Sequence, residues 1–163
     1  MTEPLALRPL SVEDARVMAD VLADPALYQF TGGAPPTEDE LTRQYRVQTR
    51  GHSADGSEEW LNLVVLLGPA REPVGYVQAT VPADGSAAEI AWVIGGPWQG
   101  MGYAHRAVRL LLDRLADRRV RAVVAHIHPE HVASNRVAAR AGLAATAVVV
   151  DGEIRWAGEI APG

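Results

Sequence analysis

The chain contains no cysteine among its 163 residues. That excludes disulfides, thiolate metal sites and any cysteine nucleophile or acyl-cysteine intermediate. It contains no lysine either, because all 15 basic residues are arginine. A Schiff-base lysine and the lysine of a Walker-type phosphate loop are therefore absent. Acids outnumber bases 20 to 15, for a formal net charge of −5. An acidic chain is poorly suited to wrapping nucleic acid or an anionic membrane surface, and neither partner is expected. Long apolar runs are missing too. The longest, near Leu63–Leu67 and Ala144–Val150, fall far short of the ~20 residues that cross a bilayer. The opening Met1-Thr2-Glu3-Pro4 lacks the basic start and apolar stretch of a signal peptide. A soluble cytoplasmic protein is the expectation. What remains is globular: 48% hydrophobic and 21% charged residues argue against disorder. The length suits one domain over residues 1–163. Area scaling gives roughly 7,900 Å² of folded surface against roughly 25,000 Å² unfolded, so a core forms without staples.

Leu5–Leu10 reads as a first strand, and Ser11-x-x-Asp14 has the spacing of a capping box opening a helix that Asp24-Pro25 stops. Tyr28 to Pro36 is a Gly/Pro-rich loop, and Thr37-x-x-Glu40 opens a second helix that ends at Gly51. Three strands follow, Trp60–Leu67, Pro73–Thr80 and Ala87–Ile94, with turns short enough for antiparallel pairing. Gly102 to about Asp117 is the clearest helix, with Ala104, Ala107, Val108, Leu111, Leu112 and Leu115 at helical spacing. Arg121–His128 alternates as a strand, and His131–Ala141 is a short helix closed by Gly142. Leu143–Val150 and Glu153–Trp156, joined at Asp151-Gly152, form a hairpin. The order predicts an α/β domain: a mixed, mostly antiparallel twisted sheet of about seven strands flanked by about four helices. Its parallel connection runs from strand 87–94 through the long helix to strand 121–128.

The informative stretch is Ile94-Gly-Gly-Pro-Trp-Gln-Gly-Met-Gly-Tyr-Ala104. A strand ends, a glycine-rich turn follows, and an amphipathic helix begins. Glycines let a backbone approach a ligand and aim successive N–H groups into one concavity. The helix start adds free donors and about half a positive charge. Such a turn holds a pyrophosphate, or it is simply a helix cap. A dinucleotide site is excluded, because Gly100-x-Gly102 is followed by His105 rather than a third glycine, and the next strand ends in His126-Ile127-His128 without an acid.

Gln99-Gly100-Met101-Gly102-Tyr103-Ala104 matches the Gln/Arg-x-x-Gly-x-Gly/Ala loop of the GNAT N-acetyltransferase superfamily, which this sequence resembles. Pro129-Glu-His-Val-Ala-Ser-Asn-Arg-Val-Ala-Ala-Arg-Ala-Gly-Leu143 is similar to that family's second motif. The opening Leu-x-Leu-Arg-Pro-Leu and Glu89-Ile-Ala-Trp-Val-Ile resemble the branch that includes ribosomal-protein N-terminal acetyltransferases. The resemblance covers nearly the whole chain. It implies acetyl-CoA as co-substrate, a primary amine (small molecule or protein N-terminus) as acceptor, and direct transfer with the oxyanion held by a backbone N–H of the fourth strand. It implies a pantetheine arm paired with backbone at Trp92, Val93 and Ile94, and a cofactor loop of Gln99, Gly100, Met101, Gly102, Tyr103 and Ala104. His131 stands where the family has a cofactor-contacting asparagine, Ala138 where many members have a thiolate-protonating tyrosine, and Leu143 where phenylalanine is usual.

With no tyrosine at 138, Ser134 is the remaining hydroxyl near the thiolate, alternatively a helix-capping serine. Glu89 sits among apolar residues five positions before Ile94; a partly buried carboxylate there would take the proton of the incoming ammonium, or it is an acid at the strand's exposed start pairing with an arginine. Arg106, Arg109, Arg136 and Arg140 are either solvated helix-surface arginines or partners for the CoA phosphates, and Arg106, in the first helical turn, is the best placed of them to meet a phosphate. Trp60, Trp92, Trp98 and Trp156 read as core before pocket. His126-x-His128-x-Glu130-His131 imitates a metal motif, but neither histidine nor cysteine follows His131, so no metal is expected. A CoA-binding module without catalysis is the alternative reading, and the closing hairpin leaves a homodimer open.

Overall fold

Leu61, Leu63 and Val65 on one side, and Val64 and Leu66 on the other, bury both faces of one strand. That double burial fixes a central sheet with helices on each side. The computed structural model describes residues 2–161. Seven strands are seen: β1 (Leu5–Pro9), β2 (Glu58–Leu67), β3 (Glu72–Pro82), β4 (Ala88–Ile94), β5 (Ala122–Ile127), β6 (Ala144–Val150) and β7 (Glu153–Glu159). Four α-helices accompany them: α1 (Ala15–Val21), α2 (Glu38–Gln48), α3 (Tyr103–Asp117) and α4 (Val132–Arg140). The sheet order is β1-β2-β3-β4-β5-β7-β6. Only β4 and β5 pair in parallel, as the sequence order predicts.

The larger core lies under α3 and α4. Ala107, Val108, Leu111 and Leu115 recur at helical spacing, are fully buried and pack on Val77, Ile90, Val123 and Ala125. Truncating Leu111 to alanine there costs about 2–5 kcal/mol. The smaller core holds α1 and α2 against the opposite face through Met18, Val21, Leu41 and Tyr45. Thr37 caps α2: its Oγ1 accepts the Glu40 N–H at 3.1 Å while the Glu40 carboxylate accepts the Thr37 N–H at 3.2 Å.

Three boundaries differ from the sequence expectation. The segment after Ser11 begins as a 3-10 turn, Val12–Asp14, before α1. There the Asp14 carboxylate accepts the Ser11 N–H at 2.7 Å and is forked by Arg8 at 2.9 and 3.0 Å. Strand β2 starts at Glu58, where Glu58 pairs with Pro82, because the ladder needs backbone and not apolar side chains. Strand β7 runs on to Glu159 because it lies between β5 and β6, and Glu159 pairs with Ala122.

Candidate active site

Strand β5 makes six pairings to β7 but only two to β4, at Ala88↔Val123 and Glu89↔Val124. It therefore diverges with its better-paired neighbour. Strand β4 continues to Ile94 with no partner on that edge, and the sheet splays open beside Ile90–Ile94. Unpaired backbone N–H and C=O groups along such an edge demand a partner.

The loop at the end of β4 leads into the head of α3. Among the described residues, no backbone or side-chain acceptor meets the N–H groups of residues 100–105. Gly102 is the N-cap at φ +83°, ψ +7°, and Gly100 lies at φ +80°. Those left-handed conformations turn successive N–H groups into one concavity. A Cβ built on either glycine meets nothing within 4 Å, so the concavity is open. No acid occupies the first turn of α3, and its positive dipole end is unopposed. These residues fit a pyrophosphate. Gln99 acts on the loop itself: its Nε2 donates to the Ile94 carbonyl at 2.9 Å and pins the strand end. Met101 is exposed, and Tyr103 and Ala104 form the first helical residues.

Arg106 has its Nη1 buried with no hydrogen-bond partner among the described residues. Its Nη2 donates to the Glu3 carbonyl at 2.7 Å and its guanidinium lies 5.9 Å over the Tyr103 ring, so it ties down the N-terminal segment. Burial, then Arg140 and Arg109, hold the His105 imidazole below its usual pKa. Both guanidiniums are thus within electrostatic reach of the helix start.

A cavity of about 300 Å³ opens at the splay. Its sheet side is Ile90–Val93 and Ala125–His128, and its far side is Leu22, Leu27, Tyr28 and Phe30. His131 and Ser134 border it from α4, and Glu153 from β7. Trp92 and Val93 thus lie on its wall. Ser134 Oγ stands 3.2 Å from His131 Nε2 and caps no backbone amide, which removes the helix-capping alternative. The His131 ring is stacked on Phe30 at 4.8 Å and 21°, and His128 tilts against the same ring at 5.1 Å. Burial, reinforced by His128, pushes the His131 pKa down, so the imidazole is neutral at pH 7. Ala138 is wholly buried in the larger core.

Glu89 does not have the expected partial burial. Its side chain is 59% exposed and off the cavity wall, on the stretch where β4 and β5 still pair. Its Oε1 lies 3.4 Å from His126 Nδ1, and Arg155 Nε donates to His126 Nε2 at 3.1 Å. Those partners assign the His126 proton to Nδ1. Trp92, Trp98 and Trp156 pack on the larger core, while Trp60 borders a separate surface cavity at the other end of the sheet. Among the described residues no three His, Asp or Glu side chains converge as a metal-ligand set. The sequence reading missed Phe30, Tyr28, Tyr76 and Glu153. The one signal for Phe30 was its position as the only phenylalanine, inside a Gly/Pro-rich loop.

Residues 5–144 match the family model described as the acetyltransferase (GNAT) domain. The chain belongs to the GNAT acetyltransferase family. Several solved structures share its fold. RimL, a ribosomal-protein alpha-N-acetyltransferase in complex with coenzyme A, is 20% identical with a TM-score of 0.77, covering 96% of this chain and 94% of that one. Aminoglycoside acetyltransferase AAC(6')-Ib with coenzyme A is 20% identical with a TM-score of 0.77, covering 96% and 95%. Spermidine N-acetyltransferase from Vibrio cholerae with CoA and spermine is 18% identical with a TM-score of 0.76, covering 97% and 96%. No curated protein matches the sequence.

Proposed function

We propose that this chain transfers an acetyl group from acetyl-CoA directly to a primary amine. The carrying observation is the row of unpartnered N–H groups at residues 100–105, set beside the splay of β4 from β5. In this reading the loop Gln99–Ala104 receives the pyrophosphate through backbone donors. The pantetheine arm adds to the free edge of β4 at Trp92, Val93 and Ile94. The thioester then lies in the 300 Å³ cavity, and a β4 N–H holds the oxyanion.

Ser134 hydrogen-bonds the departing sulfur, and His131, fixed by Phe30, holds the Ser134 hydroxyl. Glu89 takes the proton of the incoming ammonium through water, since its carboxylate is solvated and stands apart from the cavity. We read residues 1–163 as one catalytic domain. We place it in the cytoplasm, and no described helix is long and apolar enough to cross a membrane. The uncharged edge strand β6, with Val148, Val149 and Val150 exposed, suits a homodimer contact.

The test is thiol release from acetyl-CoA across a broad amine panel. The chain has no cysteine, so a thiol reagent reports coenzyme A alone. Acceptor-dependent release supports the reading. Tight CoA binding with no release above background overturns it and leaves a non-catalytic binding module.

A further inference from the structure

We propose that the acceptor carries a single ammonium on an otherwise uncharged, hydrogen-bonding body, and that polycationic amines are poor substrates. This rests on the acetyltransferase reading.

The observation is the distribution of charge around the site. Beyond the splay lies a second cavity of about 130 Å³ between α2, the segment that follows α1 and the sheet, sharing a wall of Leu22, Tyr28 and Tyr76 with the first. No residue lining it carries a formal charge. Its polar groups are amides and phenols: Gln44, Gln48, Asn62 and Gln78, with Tyr45, Tyr76 and Tyr28, whose hydroxyl already donates to the Leu22 carbonyl. The side chains of Gln44 and Gln78 and the hydroxyls of Tyr45 and Tyr76 make no hydrogen bond to the described protein, so they are free to meet a ligand. Burial, then the neighbouring Tyr28, pushes the Tyr76 phenol up to about 12. Burial, then Tyr76, Asp14 and Tyr28, pushes Tyr45 higher still. Both stay protonated and serve as donors. The carboxylate felt by Tyr45, Asp14, is already forked by Arg8 at 2.9 and 3.0 Å.

The first cavity has one carboxylate on its wall, Glu153. It matches one ammonium. A second or third ammonium reaching into the inner cavity would lose its water without gaining a counter-charge, which burial of charge penalises heavily. The acidic run Glu38-Asp39-Glu40 does not supply one, because it lies in the first turn of α2, Glu40 is committed to its cap, and none of the three lines the inner cavity. Amides and phenols instead suit carbonyl, amide or hydroxyl groups on the acceptor. A free small amine and the first residue of a polypeptide share that chemistry.

The experiment measures kcat/KM by thiol release for phenylalaninamide, for a short peptide of uncharged residues with a free N-terminus, and for spermidine and kanamycin. The better of the first two should exceed both polycations by about 100-fold, and the better of the two identifies the source. Gln78→Glu should narrow that gap to under about ten-fold by favouring spermidine. Gln44→Glu, on the exposed side of α2, repeats the test if Gln78→Glu does not fold. Spermidine or kanamycin at equal or higher kcat/KM than the uncharged acceptors overturns the inference and leaves the transferase reading standing. No release with any amine overturns both.

Discussion

Replacing Gly102 separates backbone strain from cofactor binding, because the structure makes the two contributions calculable. Gly102 sits at φ +83°, and the space that a Cβ would enter is open. Any side chain there pays only the left-handed penalty in the free protein, about 1–2 kcal/mol. For a domain of this length each kcal/mol lowers Tm by about 2–4 °C, so Gly102→Gln and Gly102→Glu should both lose about 2–8 °C and stay folded. Binding should divide them. Both side chains enter the concavity made by residues 100–105 and obstruct the pyrophosphate. The glutamate adds a negative charge about 6 Å from a phosphate, which at an effective dielectric near 20 costs about 3 kcal/mol, or roughly 100-fold. Calorimetric titration with acetyl-CoA should find weakened binding for Gly102→Gln and none measurable for Gly102→Glu, with unfolding scans confirming similar Tm losses. Wild-type affinity in Gly102→Glu would remove this loop from the cofactor site.

Ser134→Ala should lower kcat by about 3–10-fold while leaving KM for acetyl-CoA within about two-fold, measured by steady-state thiol release; the reverse pattern assigns Ser134 to binding. Glu89→Gln should keep acetyl-CoA affinity but cut kcat by about 10²-fold at pH 7, the loss shrinking as pH rises toward 9. Asp14→Asn should cost about 1–2 kcal/mol by releasing the Arg8 fork, reduced by the partial exposure of both groups. Burial alone would push the Asp14 carboxyl up, but Arg8 and the Ser11 N–H outweigh it and hold the pKa below its ordinary value. The stabilisation is therefore present above the unfolded value near 3.9 and lost as pH falls through the lower folded value. Thermal scans of both proteins should converge as pH falls below that lowered folded value.

Much of the fold was legible because the signals were local. The α3 stripe, the capping box at Thr37 and the Asp151-Gly152 turn each specify their element within a few residues. The glycine loop was legible for the same reason, since Gly100 and Gly102 encode backbone conformations directly. What sequence could not supply was pairing between distant segments. Nothing local says that β7 inserts between β5 and β6, or that this leaves β4 unpartnered beyond Glu89. The same holds for side chains. Glu89 looked half-buried from its apolar neighbours, yet exposure depends on how the sheet packs, and its side chain is 59% exposed beside His126. Arg106 gave no local sign of its Nη2 bond to the Glu3 carbonyl, because that partner is 103 residues away. Phe30 reaches His131 and His128 across the cavity from a loop whose composition marks only a turn.

The buried Ala138 shifts where catalysis must be strongest. A thiol of pKa about 8.5 leaves as a tolerable anion at pH 7, whereas an alkyl amine of pKa about 10 arrives protonated and unreactive. At pH 7 only about one alkyl amine in a thousand is free, against about one α-amino group in ten, so proton removal is the steeper demand wherever the acceptor is an alkyl amine. A site lacking a phenol beside the sulfur therefore still works, provided the ammonium finds a base. In the proposed mechanism Ser134, 3.2 Å from His131 Nε2, offers the sulfur a hydrogen bond without needing to surrender a full proton. Glu89 is solvated and lies 3.4 Å from His126, and in the same proposed mechanism a water carries the proton from the amine to its carboxylate and on to solvent. The loss in Glu89→Gln should accordingly exceed that in Ser134→Ala at pH 7, and the order should invert near pH 9, where the amine begins to deprotonate unaided. A Ser134→Ala loss larger than the Glu89→Gln loss at pH 7 would place the difficult proton on the thiol side and refute this division of labour.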